Sequence, residues 1–202
     1  LGISEDMVIE GNYLYLAKGA DGLKIIDISD RANPTEVGSY QVTDTGAYAW
    51  ALSKLGTNYV FVAYNASGLI LFNCTDRNSP DILSSALDYY ANATTMVALM
   101  DGNTVYAGIS GENIVILNFA WPYSTLTIAK YYQPTNLGYL NGFYSYQTTL
   151  YISNGIQGLD IATMSTDRDT ITHITTFTGS FQSCLDMAIL YPVAYIAGYN
   201  SV

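Results

Sequence analysis

The groups in this chain able to do chemistry are few and scattered. His173 is the only histidine, so a His-based metal site or a catalytic triad has no second imidazole to draw on. It falls in the last strand of a repeat and is read as surface or structural. Asp27, Asp30 and Asp76 could suggest a carboxylate cluster, but Asp30 and Asp76 fall at the same position of successive repeats and so on different sheets. Short acidic side chains at strand ends bond nearby backbone N–H groups, and turn-capping is the expected role of all three. The sequence holds no GxSxG, HExxH, P-loop or GxGxxG pattern. Residues 19–22 and 101–103 resemble fragments of calcium loops, but neither offers the six or more oxygens that ion takes. The expectation is a protein without catalytic residues, cofactor or metal.

Cys74 and Cys184 are the two cysteines. They fit no CxxC metal pattern and are read either as two buried thiols or as one disulfide in a secreted chain. Asn65, Asn73 and Asn92 each begin an N-x-S/T sequon and are candidate N-glycosylation sites. Asn65 and Asn92 are placed in loops, whereas Asn73 ends a strand where its amide can serve the turn.

Charge narrows the partners. Seventeen acidic against seven basic residues give a net charge of −10, and charged residues are only 12% of the chain. Such a surface repels phosphate backbones and anionic membranes, so neither nucleic acid nor a membrane surface is an expected partner. No apolar run approaches the roughly 18 residues of a membrane span. Nineteen tyrosines supply flat apolar rings with a polar tip, suited to strands, interfaces and sugar stacking. Few lysines, low charge and three sequons together favour an extracellular or cell-surface setting.

The elements that carry these residues repeat. An aromatic recurs in the middle of a short apolar strand at Tyr15, Phe61, Tyr106, Tyr151 and Tyr195, spaced 44 to 46 residues apart. The next strand keeps step, as GLKIID, GLILFN, NIVILN and GLDIAT, closing on Asp27, Asn73, Asn118 and Thr163. No segment has a 3.6-residue apolar period. Links such as Glu10-Gly11-Asn12 have tight-hairpin chemistry. Each repeat is therefore a four-stranded antiparallel meander, which cannot bury both faces alone. Packing such units face to face gives a β-propeller. The fold class is all-β, a propeller of about 4.5 blades in a single domain, with blades near 1–44, 45–91, 92–137, 138–181 and a partial 182–202.

The stretch YLYLAKGADGLKIIDISDRANPTEVGSY resembles an LVIVD repeat. The second copy keeps the Gly-Leu, the polar turn and Pro80. The third has Trp121-Pro122 in place of the acidic turn, and the fourth lacks the proline. The resemblance implies a propeller of the kind common in secreted and surface proteins, and brings no family-wide catalytic residues with it.

Two strands of a fifth blade precede the last residues, so an unfilled sheet edge is expected. Either the sequence is a fragment of a longer propeller or another chain completes it. Trp121 and Tyr123, in a turn, are candidate contacts with a neighbouring chain or a glycan. Tyr48, Trp50, Met96, Tyr144, Tyr146 and Met187 lie on inner strands and could line a sugar-binding channel, although packed core is the expected state there. The reading favours an extracellular structural or adhesive propeller, a self-assembling filament or appendage subunit. A carbohydrate- or protein-binding module is the alternative, and a propeller hydrolase the last choice.

Overall fold

The computed structural model of the chain describes residues 2–65, 67–86, 93–98, 104–109, 113–120, 125–132, 138–179 and 182–199. Every element among them is a β-strand. The first sheet holds β1 (Asp6–Glu10), β2 (Tyr13–Ala17), β3 (Leu23–Asp27) and β4 (Thr35–Tyr40). The second holds β5 (Ala49–Leu55), β6 (Tyr59–Tyr64), β7 (Gly68–Asn73) and β8 (Asp81–Ala86). The third holds β9 (Ala93–Ala98), β10 (Thr104–Ile109), β11 (Ile114–Ala120) and β12 (Thr125–Tyr132). The fourth holds β13 (Leu140–Tyr146), β14 (Thr149–Asn154), β15 (Leu159–Met164) and β16 (Ile171–Phe177). A hairpin of β17 (Ser183–Leu190) and β18 (Val193–Tyr199) follows. In each four-stranded sheet the strands lie side by side in chain order, as a meander. The expected strands are all present, with their ends displaced by a few residues.

The repeat phase holds at the level of hydrogen-bond register. Tyr15 faces Ile25, Phe61 faces Leu71, Tyr106 faces Ile116 and Tyr151 faces Ile161. The third and fourth strands slip register at Ile25/Ile26, Leu71/Phe72 and Ile161/Ala162, which are matching points of three blades. The first and second strands slip at Ala49/Ala51, Leu140/Gly142 and Cys184/Asp186. A bulge adds one unpaired residue and twists the strand locally. Repetition of both bulges at one phase shows that the blades share a backbone plan as well as an apolar pattern.

The turns follow from local chemistry. Gly11, at φ 58°, lies in the two-residue link between the paired Glu10 and Tyr13, as a primed hairpin turn requires. Gly22 and Gly158 open β3 and β15 at φ 75° and 106°. A side chain on either would meet the carbonyl oxygen of Tyr40 or Phe177, at 2.3 and 2.4 Å.

The chain forms two compact units, residues 1–94 with 119–126, and residues 95–118 with 127–202. In the first, Tyr15, Ala17, Leu23 and Ile25 of the first blade pack on Leu52, Val60, Val62, Tyr64, Ile70 and Phe72 of the second. In the second, Tyr106, Ile114 and Ile116 pack on Leu150, Ile152, Ala162 and Met164. Each fully buried aliphatic or aromatic side chain in these seams contributes about 1.5–3 kcal/mol. Hydrogen bonds stitch neighbouring blades at the same point: Gly19 bridges Ala49, and Gly155 bridges Cys184. Among the described residues, β18 pairs with β17 and with no other strand, and Tyr195 is 60% exposed where Tyr15 is fully buried.

Candidate functional site

The acidic residues singled out in the sequence cap turns. Asp27 accepts from the Ser29 amide at 2.8 Å, Asp30 from the Ala32 amide at 3.0 Å and the Asn33 side chain at 2.8 Å, and Asp76 from the Asn78 amide at 3.0 Å. The Ser29 side chain and amide hold the Asp27 carboxyl below the usual range, and the Asn33 side chain and Ala32 amide do the same for Asp30. Among the described residues, no three His, Cys, Asp or Glu side chains are grouped to hold a metal ion. No helix among them is long and apolar enough to cross a membrane.

Both cysteines are buried free thiols. Burial pushes the Cys74 thiol up to about 11. Burial raises the Cys184 thiol too, although its hydrogen bond to the Ser153 hydroxyl at 3.2 Å opposes the rise. Asn73 spends its side-chain oxygen on Thr75, at 3.0 Å to the amide and 2.7 Å to the hydroxyl. Asn65 lies between β6 and β7 and its amide donates to the Tyr48 carbonyl at 3.2 Å. Asn92, Trp121 and Tyr123 lie outside the described residues, as do residues 101–103.

Trp50 departs from the packed-core expectation. It is the bulged residue of β5, between the paired Ala49 and Ala51, and it stands 39% exposed. As the extra residue of the bulge it has no cross-strand partner in the register. Its ring pairs with Tyr48 at 4.8 Å between centroids, tilted by 47°. Tyr48 is fixed twice. Its ring covers Gly19 so closely that a side chain there would sit 2.7 Å from it, and its hydroxyl donates to Glu5 at 2.5 Å. The hydrogen bond to the carboxylate holds the Tyr48 phenol above its ordinary range. Glu5 and Gly19 were not legible as site residues, because their partner lies some thirty to forty positions along the chain.

A second polar group lies inside the same compact unit. Lys54 pairs with Glu10 at 2.9 Å and sits over the Tyr15 ring at 4.2 Å, and Arg77 stacks on Tyr13 at 4.4 Å. Burial lowers the Lys54 ammonium, and Glu10 opposes that. The group joins the first blade to the second.

In the fourth blade Asp160 is buried on β15. It accepts from Thr176 at 2.5 Å and from the Asn154 side chain at 2.8 Å, and His173 lies 3.7 Å away. His173 also meets the Thr176 hydroxyl at 3.0 Å. Lys24, Ile70 and Val115 hold the matching position in the other blades. An acid at a position that is apolar in the second and third blades was the signal that could have flagged it.

Residues 1–42 match the LVIVD repeat model. No curated protein sequence matches the chain. Its structure is similar to a protein from Lactobacillus plantarum, at 15% identity and a TM-score of 0.75 over 88% of this chain and 57% of that one. It is similar to the periplasmic gluconolactonase PpgL of Pseudomonas aeruginosa, at 13% identity and a TM-score of 0.73 over 88% of this chain and 54% of that one. It is also similar to the β-propeller domain of Cps50 (Swd1) from Myceliophteria thermophila, at 12% identity and a TM-score of 0.67, covering 88% and 60% of the two chains. The chain thus spans somewhat over half the length of these structures. Identities this low carry the fold and no activity. The chain is an all-β protein of the β-propeller fold, and its first blade matches the LVIVD repeat.

Proposed function

We propose that the protein is an extracellular structural or adhesive propeller, without enzymatic activity, that associates through exposed blade faces. The observation that carries this reading is a pair of half-interfaces. Met7 and Ile9 on β1 are 65% and 62% exposed. In the second blade, the equivalent face, with Leu52, Val62 and Ile70, is buried under the first. On the hairpin, Leu185, Val193, Tyr195 and Tyr199 are exposed. Exposed apolar side chains gathered on such strands mark an interaction site. The sequons at Asn65 and Asn92 and the scarcity of lysine support the extracellular setting.

The test is light scattering and electron microscopy of the native protein. Large or regular assemblies are expected, and Ile9→Lys together with Tyr195→Lys should reduce them to single chains. A native protein that stays monomeric at high concentration overturns the reading. Glycopeptide mass spectrometry that finds Asn65 and Asn92 bare removes the main support for secretion. A binding module is the second reading, favoured by the Tyr48–Trp50 pair.

A further inference from the structure

We infer that Tyr48, Trp50 and Glu5 form a contact site for a neutral sugar ring. The inference deepens the binding-module reading and stands apart from assembly through blade faces. Three features carry it. An indole exposed on a β-bulge offers apolar area to solvent, and the apolar C–H face of a pyranose lies well on such a ring. The platform is already rigid. Gly19 and Ala49 are joined by a backbone bridge, with Gly19 accepting from Ala49 at 2.9 Å. The Tyr48 ring is pinned on Gly19 and bonded to Glu5, so little side-chain freedom is lost on binding. A carboxyl group lies beside it. One oxygen of Glu5 meets Tyr48, and a carboxyl group offers further acceptor sites for sugar hydroxyls. An acceptor-rich, strongly acidic surface favours an uncharged polyol over an anionic sugar.

The same sugar chemistry could come from two sources, a glycan on Asn65 or a polysaccharide of another molecule. The Asn65 amide is bonded to the Tyr48 carbonyl, so a glycan at Asn65 would start close to the platform. The experiment uses the full chain and titrates it with cellohexaose, laminarihexaose, mannohexaose and N-acetylchitohexaose. Calorimetry and saturation-transfer NMR read the binding. At least one oligosaccharide should bind. Trp50→Ala should weaken it at least about tenfold with the melting midpoint unchanged, and Trp50→Phe should recover part of the loss. Asn65→Gln separates the sources. If it strengthens binding of the free oligosaccharide, an attached glycan had held the site, and if binding is unaltered the site serves an external sugar. The inference is overturned if no oligosaccharide binds either the native or the Asn65→Gln protein. It is also overturned if Trp50→Ala binds as tightly as the parent, or if the only loss in Trp50→Ala is of self-association.

Discussion

The hydroxyl of Tyr106 donates to the backbone carbonyl of Arg168 at 2.9 Å, tying the central strand of one blade to the outer turn of the next. The matching residues in the other compact unit are Tyr15 and Arg77. Burial raises the Tyr15 phenol, and the Arg77 guanidinium beside it opposes the rise. The two pairs therefore use the same position twice. In the second blade the position is Phe61, which is fully buried without a hydroxyl. The ring is thus the general requirement, and the hydrogen bond an addition in particular blades.

Tyr106→Phe should accordingly fold, because it reproduces what the second blade already has. It loses one partly buried hydrogen bond, about 0.5–1.5 kcal/mol. At this chain length the thermal midpoint should fall by roughly 2–5 °C. Tyr106→Ala also opens a cavity in the seam with Leu150 and Ile152 and should cost about 3–5 kcal/mol. Calorimetric melting of both variants checks the order, and equal losses would mean that the hydroxyl, not the ring, holds the blades together.

The Gly-Leu that opens the third strand makes a sharper prediction. Gly22 has both a positive φ and a carbonyl 2.3 Å from where a side chain would sit, whereas Gly11 has a positive φ and open space. Gly11→Ala should cost only the backbone strain, about 1–2 kcal/mol. Gly22→Ala must also push apart β3 and the end of β4, so its loss should exceed that of Gly11→Ala. Urea unfolding of the two variants compares them directly.

Such positions explain what the sequence could and could not reveal. The aromatic and Gly-Leu phase made every strand and the repeat legible, because burial on both faces forces the same residue types at the same step. The turn-capping roles of Asp27, Asp30 and Asp76 were legible because their partners lie two or three residues away. Trp50 was not, because a bulge adds a residue without a cross-strand partner, and nothing local in Ala49-Trp50-Ala51 announces it. Glu5 and Asp160 were missed for a related reason. Their roles depend on Tyr48, Asn154 and Thr176, which only the folded register brings near.

Asp160 should be sensitive to loss of either partner. Asp160→Val restores an apolar residue of the kind found at Ile70 and Val115, but takes the acceptor from the fully buried Asn154 side chain. Removing that buried acceptor costs about 1–3 kcal/mol. Adding Asn154→Leu does not rescue it, because the Asn154 oxygen also accepts from the Gly138 amide at 2.7 Å. Thermal melting should therefore show the double variant no more stable than Asp160→Val, and a rescue would mean that the Gly138 contact contributes little.

Alkaline pH should destabilise the first compact unit. Cys74 has an ordinary thiol pKa of 9.0 and is pushed by burial to about 11, and burial also raises Tyr15 and Tyr64. A group whose folded pKa is raised holds its proton more tightly in the native state. Its contribution is complete below the unfolded pKa and is lost as pH climbs through the interval to the folded one. The rise at Cys74 from 9.0 to about 11 corresponds to roughly 2–3 kcal/mol by pH 11. Lys54, lowered by burial, works in the opposite direction, since its unfolded form holds the extra proton. The thiol and the phenols outnumber it, so urea midpoints should hold from pH 7 to about 8.5 and then decline. Cys74→Ala should flatten the first part of that decline, and a profile identical to the parent's would show that the thiol does not ionise on unfolding in this range.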